Sequence, residues 1–422
     1  MRNIPSYPKP SAIEVIRTRS GYPSESLQKS SKELKLSKYI HYSHQFIDGE
    51  DIASVIKILK SDWITQGPKV KEFERALCKY TGSKYAVAVS NGTAALHISS
   101  LAAGIKAGDE VITSPVTFVA SANCVLYCGG KPVFADVEED TVNIDPLEIE
   151  KKITRKTKAI IPIHFAGHPC DVEKIHGIAR AHHLIVIEDA AHALGAEYRV
   201  HKRKAEWTKV GNGRFSDMSI LSFHPVKSIT TGEGGAVLTN RKDLYKKLLV
   251  LRNHGVTREK SALLKKDEGP WYYEMQDLGF NYRITDFQCA LGISQLKKID
   301  HFIRRRREIA QVYEERMADL EEIILPVTKP FAKPSWHIYC IKVKSPFKRE
   351  KIFNKLKAFN LGVQVHYIPV YFHPYYQRLG FKKGICKRAE DYYRRTITLP
   401  IHPSMTDGDV NRVVKKLKEA LA

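Results

Sequence analysis

The segment Ser222-Phe-His-Pro-Val-Lys-Ser-Ile-Thr-Thr-Gly-Glu-Gly-Gly235 continues an apolar run that begins at Met218 and reads as a buried strand. Lys227 follows a turn that contains Pro225. A lysine amine with its ordinary pKa of ~10.4 is protonated and not nucleophilic at neutral pH. Packing against apolar groups or near a second cation lowers that pKa and frees the amine for Schiff-base formation. Lone loop lysines are usually surface residues, but a strand, Ser-x4-Lys and a glycine-rich continuation together predict a reactive lysine.

Short apolar runs that alternate with helical patterns extend on both sides of this segment. Strands that are apolar on both faces and alternate with helices indicate an α/β fold with a mainly parallel sheet covered on both sides. Ligands of such sheets bind beyond the carboxyl ends of the strands. The predicted strands are Tyr85–Val89, Glu110–Ile112, Pro132–Phe134, Ala159–Ile161, Leu184–Ile187, Met218–Phe223 and Ala236–Leu238, and the predicted helices are 48–60, 69–81, 241–254 and 285–318.

The sequence pattern changes near residue 330, and this change predicts a domain boundary. Pro326, Pro330 and Pro334 recur at four-residue spacing, which no helix tolerates. Apolar runs at 338–343, 363–366 and 397–399, with helical patterns at 347–359 and after Thr406, then predict a small α+β domain. At the other end, residues 1–38 hold four prolines, eight serines and eight Lys or Arg against three Glu, which predicts a basic flexible extension. We therefore expect a large domain over 39–300 and a small domain over 301–422, with the helix near 301–318 as connector.

The composition narrows the function class. The net charge of +22 attracts anions, but a lysine-rich solvated surface is the favoured explanation of such a charge. The run Arg304 to Arg307 lacks interleaved aromatics for base stacking, so we expect no nucleic-acid binding. No apolar run reaches ~18 residues and the start of the chain lacks a secretory core, so we expect no membrane insertion and a cytoplasmic protein. Seven scattered cysteines without a CxxC pair predict neither a disulfide framework nor a metal site.

Two further motifs stand at predicted strand ends. Ser90-Asn-Gly-Thr-Ala-Ala95 follows one strand and opens a helix, so its N–H groups and the Thr93 hydroxyl can converge on a phosphate. The same residues also serve as an ordinary helix N-cap. In Ile187-Glu-Asp-Ala-Ala-His192, Asp189 ends an apolar strand, where a carboxylate requires a cationic partner. A protonated pyridine nitrogen is one such partner, and capping of the following helix is the alternative.

Two side chains near these motifs are candidates for the same ligand. His192 lies three residues after Asp189, although a structural histidine is the ordinary interpretation of a single imidazole. Phe118, in Ser114-Pro-Val-Thr-Phe-Val-Ala120, follows the next predicted strand after the phosphate motif. An aromatic at that point can stack on a flat heteroaromatic ring, or it can pack in the core.

Taken in chain order, these motifs resemble those of the fold-type I enzymes that use pyridoxal 5'-phosphate (PLP), and within them the DegT/DnrJ/StrS sugar-nucleotide aminotransferases. The resemblance runs from about residue 39 to the C-terminus. It implies an aspartate aminotransferase-like fold, in which a large domain with a mainly parallel mixed sheet carries a small C-terminal α+β domain. Other matching segments are Trp63–Pro68, Arg252–Gly255, Asn281–Asp286, Trp336–Tyr339 and Leu399–Pro403.

The resemblance implies a role for each candidate residue. Lys227 corresponds to the Schiff-base lysine, which also carries the proton between the sugar carbon and the cofactor, and Asp189 to the partner of the pyridine nitrogen. The other cofactor-binding residues that it implies are Thr93, Ala94 and Ser222 at the phosphate, Phe118 stacked on the ring and His192 at the ring oxygen, where many relatives carry Gln. Asn281 matches a residue that reaches the cofactor phosphate of the neighbouring subunit, which implies a homodimer with shared active sites.

The motifs around His192, Lys227 and Val363–Pro369 are similar to the branch of this family that acts in pseudaminic-acid biosynthesis. That similarity implies amination at C4 of a UDP-linked 4-keto-6-deoxy-N-acetyl-L-altrosamine, with glutamate as the amino donor. Residues expected near the substrate are Trp63, Gln66, His366 and Tyr367. Residues 1–38 and the Lys/Arg-rich segment 199–213 depart from the family pattern.

Three alternatives remain open. The first is amination of another nucleotide keto-sugar, of the perosamine or bacillosamine type. The second is a PLP-dependent sugar dehydratase, against which Lys227 argues because that branch has histidine in its place. The third is a basic binding protein on a catalytically dead fold, which the presence of Lys227, Asp189 and Ser222 together opposes.

Overall fold

The computed structural model of the chain describes residues 38–200, 206–265 and 267–422. Apart from Lys38, the predicted basic extension lies outside these residues, as do residues 201–205 of the basic segment 199–213. Among the described residues, the α-helices are α1 Gly49–Leu59, α2 Pro68–Thr81, α3 Gly92–Ala102, α4 Ala120–Tyr127, α5 Pro146–Lys152, α6 Val172–Ala181, α7 Lys242–Arg252, α8 Asp286–Lys297, α9 Ile299–Met317, α10 Arg349–Ala358, α11 Pro374–Arg378, α12 Lys387–Arg395 and α13 Asp407–Leu421. The strands are β1 Tyr85–Val89, β2 Glu110–Thr113, β3 Lys131–Phe134, β4 Thr157–Ile161, β5 Ile185–Asp189, β6 Glu197–Arg199, β7 Trp207–Lys209, β8 Met218–Ser222, β9 Gly235–Thr239, β10 Val256–Thr257, β11 Glu274–Met275, β12 Ile323–Ile324, β13 Ala332–Lys333, β14 Tyr339–Val343 and β15 Thr396–Leu399.

A seven-stranded sheet in the order β1-β9-β8-β5-β4-β2-β3 forms the centre of the fold. Strand β9 runs antiparallel to both of its neighbours, and the pairs from β8 through β5, β4 and β2 to β3 are parallel. Alternate residues of one strand enter different cores: Ile112 packs in one apolar cluster and Val111 in another. This burial on both faces explains the continuous apolar runs. The prediction of a mainly parallel mixed sheet in an α/β fold is confirmed.

The helical run predicted over 285–318 is two helices, α8 and α9, which separate at Lys298. The Lys298 amine lies 2.7 Å from a carboxylate oxygen of Asp48 and 2.7 Å from one of Asp51, so the break is tied to the start of α1. A local apolar pattern does not reveal such a contact, because its partners lie about 250 residues away in the sequence.

The C-terminal part contains a second sheet, β12-β14-β15, whose apolar side packs with α9, α10 and α13. The predicted run 363–366 is not a strand: only Gln364 forms an isolated bridge, with Thr398. A third sheet pairs β13 with β6 and β6 with β7, so Arg199 and Trp207–Lys209 of the basic segment belong to a small antiparallel sheet. Residues 39–422 form one compact unit, and the division at residue 300 stays a prediction.

Candidate active site

Asp189 and Lys227 lie at the carboxyl-end edge of the central sheet. Asp189 is the last residue of β5 and pairs with Ile220 of β8, whose end at Ser222 leads into the lysine turn. The Asp189 side chain is buried. Its Oδ2 accepts a hydrogen bond of 2.6 Å from Ser121 Oγ, and its Oδ1 accepts one of 3.1 Å from the Ala191 N–H. These bonds leave the carboxylate fixed at the strand end.

The turn that carries Lys227 is closed by a 2.9 Å hydrogen bond from the Lys227 N–H to the His224 carbonyl. Ser43 Oγ donates a 3.0 Å bond to the Val226 carbonyl and so ties the N-terminal segment to the same turn. Burial lowers the pKa of the Lys227 amine to about 8, while the negative charge of Asp189 acts in the opposite direction. An appreciable neutral fraction near pH 7 is what a nucleophilic amine requires. The two side chains thus act on each other electrostatically at one site.

The N-terminus of α3 forms an anion cradle beside Ser222. The Asn91 side chain caps the helix by accepting a 2.8 Å bond from the Ala94 N–H. That N–H is therefore in use, whereas no group of the described chain accepts a hydrogen bond from the N–H groups of Gly92 and Thr93 in the same turn. A Cβ built on Gly92 would lie 3.0 Å from Cβ and 3.2 Å from Oγ of Ser222, so glycine allows the serine hydroxyl to approach the helix end. Backbone donors, a hydroxyl and the helix dipole together fit a phosphate group.

Phe118 stands on a loop that is attached to the carboxylate. Its side chain is 60% exposed, although the rest of the motif is largely buried. Thr117 Oγ1 lies 2.8 Å from Ser121 Oγ, and Ser121 in turn bonds Asp189. An exposed aromatic held at a fixed position relative to a buried carboxylate fits a flat ring whose nitrogen faces that carboxylate.

Residues from the C-terminal part complete this side of the site. His192 Nε2 lies 3.2 Å from the Tyr367 hydroxyl, and no protein group pairs with its buried Nδ1 in the described chain. His366 Nδ1 lies 2.9 Å from Thr398 Oγ1. Burial, and next to it the charge of Lys227, lower the pKa of His192 well below its ordinary value and that of His366 to about 4. Both imidazoles are therefore neutral at physiological pH, beside a lysine and a carboxylate.

The three remaining predicted residues lie on exposed segments. Trp63 is 57% exposed, and Gln66 and Asn281 are exposed as well. Within the described part of the chain, none of their side chains hydrogen-bonds to Lys227 or Asp189. The segment next to Asn281 does approach the phosphate cradle, since the Ser90 N–H donates a 2.9 Å bond to the Tyr282 carbonyl.

Three residues of the site were missed by the sequence reasoning. Ser121 orients Asp189, and its place three residues after Phe118, directly after the motif that ends at Ala120, was the available signal. His337 packs against His192 with ring centroids 4.3 Å apart, and it belongs to the segment Trp336–Tyr339 that matches the family. Tyr42 lies 5.4 Å from His366 between ring centroids, and no pattern in the sequence indicated it.

Each of these groups fits one part of PLP. The cradle fits its phosphate, and the buried carboxylate of Asp189 fits its ring nitrogen. The exposed Phe118 fits its ring face, and the unpaired His192 Nδ1 fits its ring oxygen. Among the described residues, no group of three or more His, Cys, Asp or Glu side chains could hold a metal ion, and no helix is both long and apolar enough to cross a bilayer. Together with the sheet topology, these groups define a PLP-dependent enzyme of the α/β class.

The chain belongs to the DegT/DnrJ/EryC1/StrS aminotransferase family, which it matches over residues 45–418. The spore coat polysaccharide biosynthesis protein SpsC of Bacillus subtilis is 40% identical over 391 residues, or 91% of this chain and 98% of SpsC. The UDP-4-amino-4,6-dideoxy-N-acetyl-beta-L-altrosamine transaminase of Campylobacter jejuni is 38% identical over 379 residues, or 89% and 95% of the two chains.

Solved structures agree with these matches. Helicobacter pylori PseC, an aminotransferase involved in the biosynthesis of pseudoaminic acid, superposes with a TM-score of 0.83 at 34% identity, over 91% of this chain and 99% of that one. The PLP form of Spr1654 from Streptococcus pneumoniae has a TM-score of 0.82 at 29% identity, over 91% of this chain and 99% of that one. The protein is thus a PLP-dependent sugar aminotransferase with the predicted aspartate aminotransferase-like fold.

Proposed function

We propose that the enzyme transfers an amino group from glutamate to C4 of a UDP-linked 4-keto-6-deoxy-N-acetyl-L-altrosamine and so forms the UDP-4-amino-4,6-dideoxy sugar of pseudaminic-acid synthesis. The observation that carries the proposal is the contact of Tyr367 with His192 and the electrostatic influence of Lys227 on His366, because Tyr367 and His366 belong to the motif similar to the pseudaminic branch. The names of the Campylobacter and Helicobacter relatives support it. The net charge of +22 suits a diphosphate substrate.

In this proposal Lys227 holds the cofactor and later moves the proton. When bound, PLP supplies an electron-withdrawing ring that accepts the electron pair of a broken C–H bond. Lys227 Nζ would accept the proton from one carbon atom and deliver it to another, because a primary amine can serve first as a base and then as an acid. An amine with a pKa of about 8 can act in both directions near neutral pH.

Asp189 keeps the ring nitrogen protonated in this proposal. Its carboxylate is oriented by Ser121 Oγ and the Ala191 N–H, so it need not reorganise during the reaction. The N–H groups of Gly92 and Thr93 with the Ser222 hydroxyl bind the phosphate, and Phe118 covers one ring face. His366, fixed by Thr398, and the neighbouring Tyr42 ring orient the sugar.

The test is mass spectrometry of reactions with glutamate and a panel of UDP-, GDP- and dTDP-linked 4-keto-sugars, with the Lys227→Ala enzyme as the blank. We expect a mass change from keto to amino only with UDP-linked sugars, and the largest yield with the L-altrosamine precursor. Amination of only a GDP- or dTDP-sugar contradicts the proposed substrate but leaves the enzyme class intact. The 40% identity to SpsC makes a different keto-sugar the second candidate, and the same panel detects it.

A further inference from the structure

We infer that His337 is a positioning residue, whose ring packs against His192 and fixes the plane in which the unpaired His192 nitrogen faces the cofactor. This inference rests on the function proposed above, in which His192 bonds the ring oxygen of PLP. The two ring centroids are 4.3 Å apart with planes inclined by 44°. Both side chains are buried, and within the described chain each has an Nδ1 without a hydrogen-bond partner.

A single hydrogen bond does not hold an imidazole plane. The 3.2 Å contact between His192 Nε2 and the Tyr367 hydroxyl fixes one ring nitrogen, so the ring can still tilt about the line from Cβ to that atom. The His337 ring supplies the next restraint, because its centroid lies 4.3 Å from that of His192, against 6.1 Å for Tyr367 and 6.5 Å for Phe165. A neutral imidazole carries one proton. With the Tyr367 hydroxyl donating to Nε2, this proton lies on Nδ1, where it can be donated to an oxygen anion of the cofactor.

The segment around His337 is clamped to the strand-end loops of the sheet. The His337 N–H donates a 2.9 Å hydrogen bond to the Ala166 carbonyl. The Ser335 N–H donates a 3.1 Å hydrogen bond to the Gly167 carbonyl. Ser335 Oγ also donates a 2.8 Å bond to the His192 carbonyl. A Cβ on Gly167 would lie 2.2 Å from Ser335 Oγ, and the φ of Gly167 is +88°, so only glycine permits this approach. The Ser335 hydroxyl therefore joins the segment that carries His337 to the main chain of His192.

Arg306, in α9, holds the same segment from the other side. Its side chain is buried, and Nη1 donates to the carbonyls of Trp336, His337 and Ile401 at 3.2, 3.1 and 2.8 Å. Burial lowers the pKa of Arg306 to about 10, so the guanidinium stays charged at neutral pH and keeps these bonds. This contact sets the main chain from which the His337 ring projects.

The charged groups that face this pair oppose its protonation. Burial is the largest effect on both rings, and the charge of Lys227 comes next for each. Of the two rings, Arg306 acts on His337 alone, and the nearby His366 adds to the effect on both. The pKa values of both His192 and His337 lie well below the ordinary value. The contact between the rings is thus a packing contact between neutral groups, so another flat, uncharged ring should replace His337.

The experiment measures the visible absorption of the bound cofactor as a function of pH, on the PLP-loaded enzyme without substrates. A hydrogen bond donated to the ring oxygen favours the deprotonated, anionic form of the bound cofactor, so it lowers the midpoint of this titration. We expect His337→Ala to raise the midpoint by about one pH unit, the shift that a hydrogen bond to a charged group produces. His337→Phe, which keeps a flat ring, should stay close to the unmodified enzyme.

Tyr313→Phe is the matched control, because it removes a buried 2.7 Å hydrogen bond to the Pro400 carbonyl without touching the site. It should lower thermal stability and leave the midpoint unchanged. His337→Val also lacks a planar ring but loses less volume, and it carries the test if the alanine variant does not fold. The inference is overturned if removal of the His337 ring, by Ala or Val, leaves the midpoint of the absorption titration unchanged. It is also overturned if His337→Phe shifts that midpoint as far as His337→Ala does. Absence of a Lys227-dependent visible band in the unmodified enzyme would instead overturn the proposed roles of Lys227 and PLP.

Discussion

At the scale of single residues, the activity depends on the Lys227 amine. We expect Lys227→Ala to abolish cofactor that borohydride can trap and to lower turnover by about 10³-fold or more, because nucleophile and proton carrier are lost together. Lys227→Arg should behave in the same way, since a guanidinium keeps the positive charge but does not form a Schiff base with the cofactor. Mass spectrometry of the reduced protein and a glutamate-dependent assay measure both effects. Lys106→Ala, on an exposed turn, is the control, and retained turnover in Lys227→Ala would end the proposed role.

The pKa of Lys227 has a measurable consequence in the cofactor-free protein. Because that pKa is lowered from 10.5 to about 8, the neutral amine accumulates as the pH rises through 8. The rate of covalent PLP capture should therefore rise from pH 6 to 8 and level off above about pH 9 in stopped-flow absorbance. In Asp189→Asn the charge that raises the lysine pKa is absent, so the midpoint should move to lower pH. A midpoint near 10 in the unmodified protein would contradict the burial of this amine.

The sequence alone indicated which residues of this site to examine because their roles depend on local chemistry. Asp189 ends a strand, Lys227 and Phe118 each follow one, and parallel topology brings strand ends to one edge. Ser121 and His337 were not assigned because their roles arise from contacts across 68 and 145 positions of the chain, to Asp189 and His192. The use of the Ala94 N–H by the Asn91 cap is likewise visible only in the structure.

At the scale of elements, Asp286 joins two motifs that match the family. Its carboxylate is fully buried and accepts bonds of 2.7 Å from the Gly67 N–H and 2.9 Å from the Lys69 N–H, at the start of α2. Asp286→Ala should destabilise the fold by about 2 kcal/mol, since it removes a helix cap and leaves buried donors unpaired. Thermal unfolding followed by circular dichroism measures the change. Asp243→Ala, which removes an exposed ion pair and a carboxylate in the first turn of α7, should change stability by less than about 1 kcal/mol, and equal losses would contradict the assignment.

Elements with strong local patterns were predicted within a few residues, and those governed by distant contacts were not. The seven strands of the central sheet are buried on both faces, so their apolar runs were unambiguous. The break between α8 and α9 depends on Lys298 reaching Asp48 and Asp51, and the position of Gln364 depends on pairing with Thr398. A repeat of apolar residues contains no information about such partners.

At the scale of the whole molecule, the proposed homodimer with shared sites can be tested by complementation. Asn281 is proposed to reach the cofactor phosphate of a second copy, so an Asn281→Ala subunit and a Lys227→Ala subunit carry defects in different sites. When the two variants are combined, partly unfolded and refolded together, they should recover up to about a quarter of the full activity. Half of the dimers then contain one subunit of each kind, and each such dimer has one intact site out of two. Sedimentation should give twice the chain mass of 48.0 kDa. No recovery in mixtures that form mixed dimers would contradict shared sites.

Gly235 opens β9, and a Cβ there would lie 2.5 Å from the Asn91 carbonyl and 2.8 Å from the Gly92 nitrogen. The lysine loop and the phosphate cradle thus touch main chain to main chain, though some 140 positions separate them. Anyone who diversifies this enzyme for new sugars should expect strong epistasis here. A library that varies both segments independently will be dominated by inactive clones, whereas one that varies the surroundings of His366 can change selectivity without disturbing this junction.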